Sequence, residues 1–122
     1  MAKSLIKQLQ EVVILLCDGA MGTELQERGM ATGVCPEECN ITHPGIVQGI
    51  YKDYFDAGSD LVETNTFGAN RSRFALHDLE NRVSEICRRS AELAREVCPE
   101  NKLVAGSMGP TGDIIEPLGK RT

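Results

Sequence analysis

The hydrophobic pattern predicts three short strands, at residues 12–17, 61–66 and 103–107, each followed by polar or glycine residues. The first of them, VVILLC, is too short for a helix and shows no polar alternation. Such a run is typical of a strand that is buried on both faces, as in parallel sheets. The pattern therefore predicts a sheet whose strands have polar carboxyl ends.

Between these strands, apolar residues recur at helical spacing. The best-defined helix begins at Pro44, with Thr42 or His43 as its cap, and Gly58 ends it. Its predicted buried stripe consists of Ile46, Val47, Ile50, Tyr51, Tyr54 and Phe55. Further helices are predicted at residues 4–10, 23–28, 70–77 and 79–97, with a loop at 30–41 and an irregular tail at 110–122.

The element order β-α-β-α-β predicts an α/β fold with parallel strands and right-handed connections. Three such strands fit either part of a doubly wound sheet or part of a (β/α)8 barrel, and periodicity alone does not choose between these folds. In both folds, ligands bind at the carboxyl ends of the strands. The length of 122 residues allows one domain with a modest core.

Asp18 is the strongest single candidate for ligand binding, because it directly follows the first predicted strand. A carboxylate in this position can accept hydrogen bonds from an ammonium group, which suits an amino-acid ligand. The alternative is a turn aspartate that binds the amides of its own loop. Gly19 and Gly22 allow the backbone to turn sharply and to approach a small molecule closely.

The ends of the other two strands add further polar candidates. Asn65 is predicted to contact a ligand or to hold a loop, and alternation places Glu63 on the same face. Glu63 is therefore a candidate for the same ligand site. The alternative is a structural role, in which its carboxylate forms an ion pair inside a barrel. Ser107 and Gly109 follow the third strand, where their small size is expected to allow a close backbone approach.

Five cysteines occur in a sequence without an export signal, so reduced thiols are expected. Cys35 and Cys39 form a C-x3-C pair, which is a weak metal signal because structural zinc requires four ligands. We therefore predict no metal site there. Cys17 is expected to be a small buried residue inside its strand.

Charge and composition exclude several classes of function. The net charge is −5, acids and bases are interspersed, and no basic stripe indicates nucleic acid or an anionic membrane as a partner. No apolar run suits a signal peptide or a membrane span, so a cytoplasmic location is expected.

Three motifs, in order, resemble the homocysteine S-methyltransferase family. They are DGAMGTEL, PEECNITHPGIVQGIYKDYFDAGSDLVETNTFGANRSR and LVAGSMGPTGDIIEPLG, and together they cover the chain from about Val12 onwards. Within the family, the likeness is greatest to the homocysteine-binding domains of cobalamin-dependent methionine synthases. The resemblance implies the N-terminal β-α-β-α-β portion of a (β/α)8 TIM barrel, truncated after its third strand.

The resemblance also implies a reaction, a substrate and cofactors. The expected activity of the full-length parent is zinc-dependent methyl transfer to the homocysteine thiolate to form methionine. Asp18 and Gly19 would hold the polar end of homocysteine. Asn65 is predicted as a further substrate contact from its position at the end of a strand, not from the resemblance. The zinc ligands are expected outside this chain, and cobalamin and methyltetrahydrofolate would bind to other domains of the parent.

Two alternatives to this function stay open at the level of sequence. In the first, the chain is a non-catalytic binding or assembly module that completes a barrel with another polypeptide. In the second, the family is the same, but the enzyme uses another methyl donor, such as S-methylmethionine or betaine. As a fragment of the full-length enzyme, the isolated chain is expected to be inactive. Its open strand edges are expected to pair with the remainder of the parent barrel or to cause self-association.

Overall fold

The computed structural model describes residues 4–11 and 14–122. Two parallel strands lie beside a layer of helices, in the alternating order that the sequence predicts. The strands are β1 (Leu61–Glu63) and β2 (Leu103–Ala105). The α-helices are α1 (Leu5–Glu11), α2 (Gly22–Glu27), α3 (Cys39–Thr42), α4 (Pro44–Asp56), α5 (Arg71–Phe74) and α6 (Val83–Val97), and 3-10 helices lie at Pro36–Glu38 and Ala75–His77.

The strands are parallel and adjacent in chain order, as predicted. β1 pairs with β2 in a register that places Leu61 opposite Leu103. On the other side of β1, Cys17 forms an isolated parallel bridge with Leu61, and the Asp18 N–H donates to the Leu61 carbonyl over 3.0 Å. The three segments therefore end on the same side, which brings their polar residues together.

The first predicted strand, at residues 12–17, is not formed as expected in its described part, residues 14–17. Residues 12 and 13 lie outside the described residues, residues 14–16 form no named strand, and pairing is limited to the bridge at Cys17. The prediction of burial on both faces is wrong, because the Ile14 side chain is 80 % exposed and that of Leu16 54 %. Cys17 is also exposed rather than buried. No described segment packs on the outer edge of this run, so its apolar side chains contact solvent.

Helix boundaries follow the local signals closely, with two exceptions. Helix α4 begins at Pro44, and Gly58 follows it with φ of +113°, a value that favours glycine. Helix α6 begins at Val83 rather than at residue 79, and the predicted loop at 30–41 contains a 3-10 helix and most of α3. The strands β1 and β2 are each shorter than predicted at their carboxyl ends.

The core lies between the sheet and the helices α4 and α6. Tyr51 and Ile50 of α4, Leu93 of α6 and Val62 of β1 are fully or almost fully buried in one cluster. A second cluster joins Phe74, Leu79, Ile86 and Cys35 beneath the short helices. None of the helices in the described part of the chain is long and apolar enough to cross a bilayer.

Candidate functional site at the strand ends

A polar cavity of about 170 Å³ lies at the carboxyl ends of the three parallel segments. It receives residues from each of them, as expected for a ligand site in a parallel α/β fold. All three residues that the sequence predicts for substrate binding, Asp18, Gly19 and Asn65, line it. The other lining residues are Met21, Glu63, Thr64, Thr66, Phe67 and Ser107.

Asp18 is half-buried at the wall of this cavity and is held by the neighbouring strand. Its Oδ2 accepts a hydrogen bond from the backbone N–H of Glu63 over 3.0 Å. Burial raises the pKa of the Asp18 carboxyl, and the nearby Glu63 carboxylate raises it further, while the Glu63 N–H works in the opposite direction. The hydrogen bond to one oxygen therefore fixes the orientation of the carboxylate, and its nearest charged neighbour is another carboxylate rather than a cation. This arrangement suits the binding of a cation.

Asn65 is 5 % exposed, and much of its hydrogen bonding holds the framework of the site. Its side-chain Nδ2 donates to the Pro36 carbonyl over 2.8 Å and to Asn40 Oδ1 over 3.1 Å. In return, Asn40 Nδ2 donates to the Asn65 carbonyl over 2.9 Å. The reciprocal amide pair fixes the orientation of Asn65 at the cavity, so loop-fixing, one of the two predicted roles, is confirmed.

The backbone of Asn65 is also anchored to the helical layer. Its N–H is shared between the Tyr51 hydroxyl at 2.7 Å and Ser90 Oγ at 2.8 Å. These two hydroxyls contact each other over 2.8 Å and join α4 to α6. Tyr51 and Ser90 are fully buried, so the end of β1 is held by a polar network inside an otherwise apolar core.

A closed ring of hydrogen bonds joins the ends of β1 and β2. The Ser107 N–H donates to Thr64 Oγ1 over 3.0 Å, and Thr66 Oγ1 donates to the Ser107 carbonyl over 2.7 Å. Because the single hydroxyl proton of Thr66 is used there, the Thr64 hydroxyl must donate in the remaining contact, Thr64 Oγ1 to Thr66 Oγ1 at 2.7 Å. The ring fixes the spacing of the two strand ends and explains the burial of both threonines.

Two glycines near the cavity approach aromatic residues closely. A Cβ at Gly19 would lie 3.0 Å from the Tyr54 hydroxyl, which donates to the Ala20 carbonyl over 2.7 Å. A Cβ at Gly109 would collide with the Phe67 carbonyl and lie 2.9 Å from its ring. The close approach predicted for Gly109 is confirmed, and Phe67 in turn lines the cavity.

Sequence reasoning missed the structural role of Glu37. Glu37 is 7 % exposed, and its Oε1 accepts from the Gly68 N–H over 2.6 Å. Its Oε2 accepts from Cys35 Sγ over 3.2 Å. Glu37 therefore orders the loop that follows β1, a contact across more than thirty positions that no local pattern indicates.

The cysteines of the C-x3-C pair are separated in the core. Cys35 packs in the cluster with Phe74, whereas Cys39 packs in the cluster with Tyr51. Burial and the hydrogen bond to Glu37 raise the pKa of Cys35 to about 11, so it is a protonated thiol at neutral pH. Among the described residues, no group of three or more His, Cys, Asp or Glu side chains is placed to hold a metal ion. The residues present therefore do not fit a zinc ion.

We expect Cys17 to react first with a thiol reagent and Cys35 to be strongly protected. Cys17 is exposed, while a buried thiol with a pKa of about 11 is only about 0.1 % thiolate at pH 8. Timed labelling with mass spectrometry of the peptides measures the order, and Cys17→Ser should remove the fast phase. Rapid labelling of Cys35 in the folded chain would contradict the burial described above.

The fold and the site together define a parallel α/β protein with a cavity at the carboxyl ends of its strands. The sequence pattern of the homocysteine S-methyltransferase family matches residues 15–121. The chain belongs to this family. All five cysteines are free thiols in this structure.

Relatives in sequence and structure agree with this membership. The chain is 39 % identical over 120 residues to a methionine synthase of Mycobacterium leprae and 38 % identical to one of Mycobacterium tuberculosis. These alignments cover 87 % of this chain and 10 % of either relative. The structure superposes on the metallated form of the homocysteine methyltransferase MmuM from Escherichia coli with a TM-score of 0.79 and 32 % identity, over 88 % of this chain and 42 % of that one. The chain thus spans less than half the length of each of these three relatives.

Proposed function

We propose that this chain supplies the part of a homocysteine S-methyltransferase that holds the amino-acid end of homocysteine. The observation that carries the proposal is the Asp18 carboxylate at the cavity, with one oxygen fixed by the Glu63 N–H. Among the described residues, no side chain donates a hydrogen bond to its other oxygen. That oxygen is an acceptor of the kind that a substrate ammonium requires.

The residues of the chain have distinct roles in this proposal. Asp18 binds the ammonium, Gly19 leaves room for the substrate backbone, and Asn65 holds the lip of β1 in place. Orientation of one end of the substrate lowers the entropic barrier for reaction at the other end. The methyl acceptor is the homocysteine sulfur, and the product is methionine, as in the methionine synthases that the chain resembles.

We place the zinc ligands, and any binding of cobalamin and methyltetrahydrofolate, outside this chain, because its described residues do not fit a zinc ion. The isolated chain would then bind without catalysis. S-methylmethionine and betaine stay as alternative methyl donors. A cytoplasmic location accords with the five free thiols.

The exposed apolar side chains favour a barrel that is completed by other residues. Ile14 and Leu16 border the sheet edge beside Cys17 and are 80 % and 54 % exposed. An unpaired apolar edge of this kind is a template for pairing with further strands. We propose that it is covered by the remainder of a parent barrel, and that self-association of the chain is the alternative.

Asp18→Asn is the direct test, in the complete polypeptide that contains this chain. Loss of the charge-assisted hydrogen bond should weaken homocysteine binding by about 1.5–3 kcal/mol, measured by calorimetric titration. Bound zinc, analysed in parallel, should not change. The matched control is Asp78→Asn, at an exposed residue with φ of +57° where asparagine is equally suitable. Unchanged affinity in Asp18→Asn would reduce Asp18 to a loop-fixing residue.

The same variant should not destabilise the fold. Because the pKa of Asp18 is raised in the folded chain, the stabilisation that this group provides when protonated is lost as the pH rises through the raised value. At neutral pH the neutral asparagine avoids the cost of burying a charge, and its oxygen can still accept from Glu63. Equal or greater resistance to urea, together with weaker binding, would separate the binding role from a structural one.

A further inference from the structure

We propose that Glu63 is a second carboxylate for the substrate ammonium, acting together with Asp18 and with Asn65 Oδ1. The inference rests on the proposed function and adds a binding residue to it. Three acceptors at one site would also determine its specificity, because they would select a primary ammonium group with three N–H donors. A quaternary ammonium group, which has no N–H, would not satisfy these acceptors.

The position of Glu63 supports this role. It is the last residue of β1, it is exposed, and it lines the same cavity as Asp18. The hydrogen bond from its own N–H to Asp18 Oδ2 brings the two residues together across neighbouring segments of the sheet. Both carboxylates therefore belong to one wall of the cavity.

The charges at this wall are not balanced within the described part of the chain. The ion pairs among the described residues involve neither Asp18 nor Glu63. Two like charges that share a partly desolvated cavity repel each other, and a cation placed between them removes this repulsion. The substrate ammonium is the cation that the proposed function brings to this position.

Asn65 provides an independent observation at the same cavity. Its Nδ2 is committed to the Pro36 carbonyl and Asn40 Oδ1, which settles the orientation of the amide. No described residue donates to its Oδ1, although the residue is 5 % exposed and lines the cavity. This oxygen is not one of the fully enclosed polar atoms that lack a partner, so it is accessible from the cavity, where a ligand N–H can donate to it. Asp18, Glu63 and Asn65 thus offer three acceptors for the three protons of a primary ammonium.

The experiment compares two ligands in the complete polypeptide by calorimetric titration. The ligands are homocysteine and 4-mercaptobutanoic acid, which is homocysteine without its amino group. Glu63→Gln should weaken homocysteine binding at least about tenfold, as expected for a charge-assisted hydrogen bond, and leave the binding of 4-mercaptobutanoic acid unchanged. Glu27→Gln, at an exposed residue of α2 away from the cavity, is the matched control and should change neither.

Each outcome decides between the proposals. If the wild-type protein does not bind homocysteine, the proposed function fails. If it binds and Glu63→Gln binds equally well, or if Glu63→Gln weakens both ligands to the same extent, the role of Glu63 is overturned and the residue is a structural one. Equal affinity of the wild-type protein for both ligands would show that the ammonium is not recognised at all.

Discussion

Asn40→Ala should lower the free energy of unfolding by about 2–4 kcal/mol, because it removes a buried amide that serves three backbone or side-chain partners. Asn40 is completely buried, donates to the carbonyls of Asn65 and Ile86, and accepts from Asn65 Nδ2. The substitution leaves the buried Asn65 carbonyl without this donor. Because the chain has no tryptophan, urea unfolding followed by far-UV circular dichroism is the suitable measurement.

The control for this variant is Asn81→Ala, which deletes the same side chain at an exposed position between the 3-10 helix and α6. It should change the free energy of unfolding by no more than about 0.5 kcal/mol. Equal stabilities of the two variants would show that the amide pair contributes nothing to the fold. A loss at Asn40 should also loosen Asn65, so binding at the cavity is expected to weaken in parallel.

Gly109→Ala is the second substitution with a large expected effect. The added Cβ would collide with the Phe67 carbonyl, and since the obstacle is backbone rather than a flexible side chain, the strand end must shift. We expect a loss of about 3 kcal/mol in the free energy of unfolding, at the upper end of overpacking costs. Phe67 lines the cavity, so the shift should weaken ligand binding as well.

Gly106→Ala is the matched control for Gly109→Ala, since it lies three residues away and a Cβ there meets nothing within 4 Å. Neither glycine has the positive φ that would make alanine unsuitable on backbone grounds alone. The difference between the two variants therefore isolates the collision with Phe67. If both are as stable as the wild-type chain, the close approach of residues 67 and 109 is not present in solution.

Asn65 illustrates how one residue serves both the fold and the site. Its N–H and Nδ2 are used by Tyr51, Ser90, Pro36 and Asn40, and only its Oδ1 faces the cavity without a donor. A substitution there would disturb both functions at once. The binding test is therefore better made at Asp18 and Glu63, where the backbone contact survives replacement by the amide.

The features predicted well are those that depend on neighbouring residues. Pro44 begins α4 and Gly58 follows its end, and the buried stripe of α4 contains Val47, Ile50 and Tyr51 as predicted from helical spacing. The parallel order of the strands also followed from the length of the helical connections. The three predicted site residues share one cavity because the ends of parallel strands meet at one edge.

The features predicted poorly depend on which distant parts of the chain pack against a segment. Cys17 and Leu16 are exposed because no described segment covers their edge, although their sequence is that of a buried strand. The predicted loop at 30–41 carries two short helical segments because Asn40 and Glu37 bind distant backbone groups. Both outcomes come from tertiary contacts.

The sequence by itself determined the alternation of strands and helices, the family and the polar strand ends, because each depends on residue order and on local backbone preferences. Only the tertiary structure decided which polar groups bind one another and which face the cavity without a partner. Asn40 reaches Asn65, and the Glu63 N–H reaches Asp18, across 25 and 45 positions of the chain. Such pairings depend on how the helices pack against the sheet, and hydrogen bonds form only where that packing brings donor and acceptor within about 3 Å.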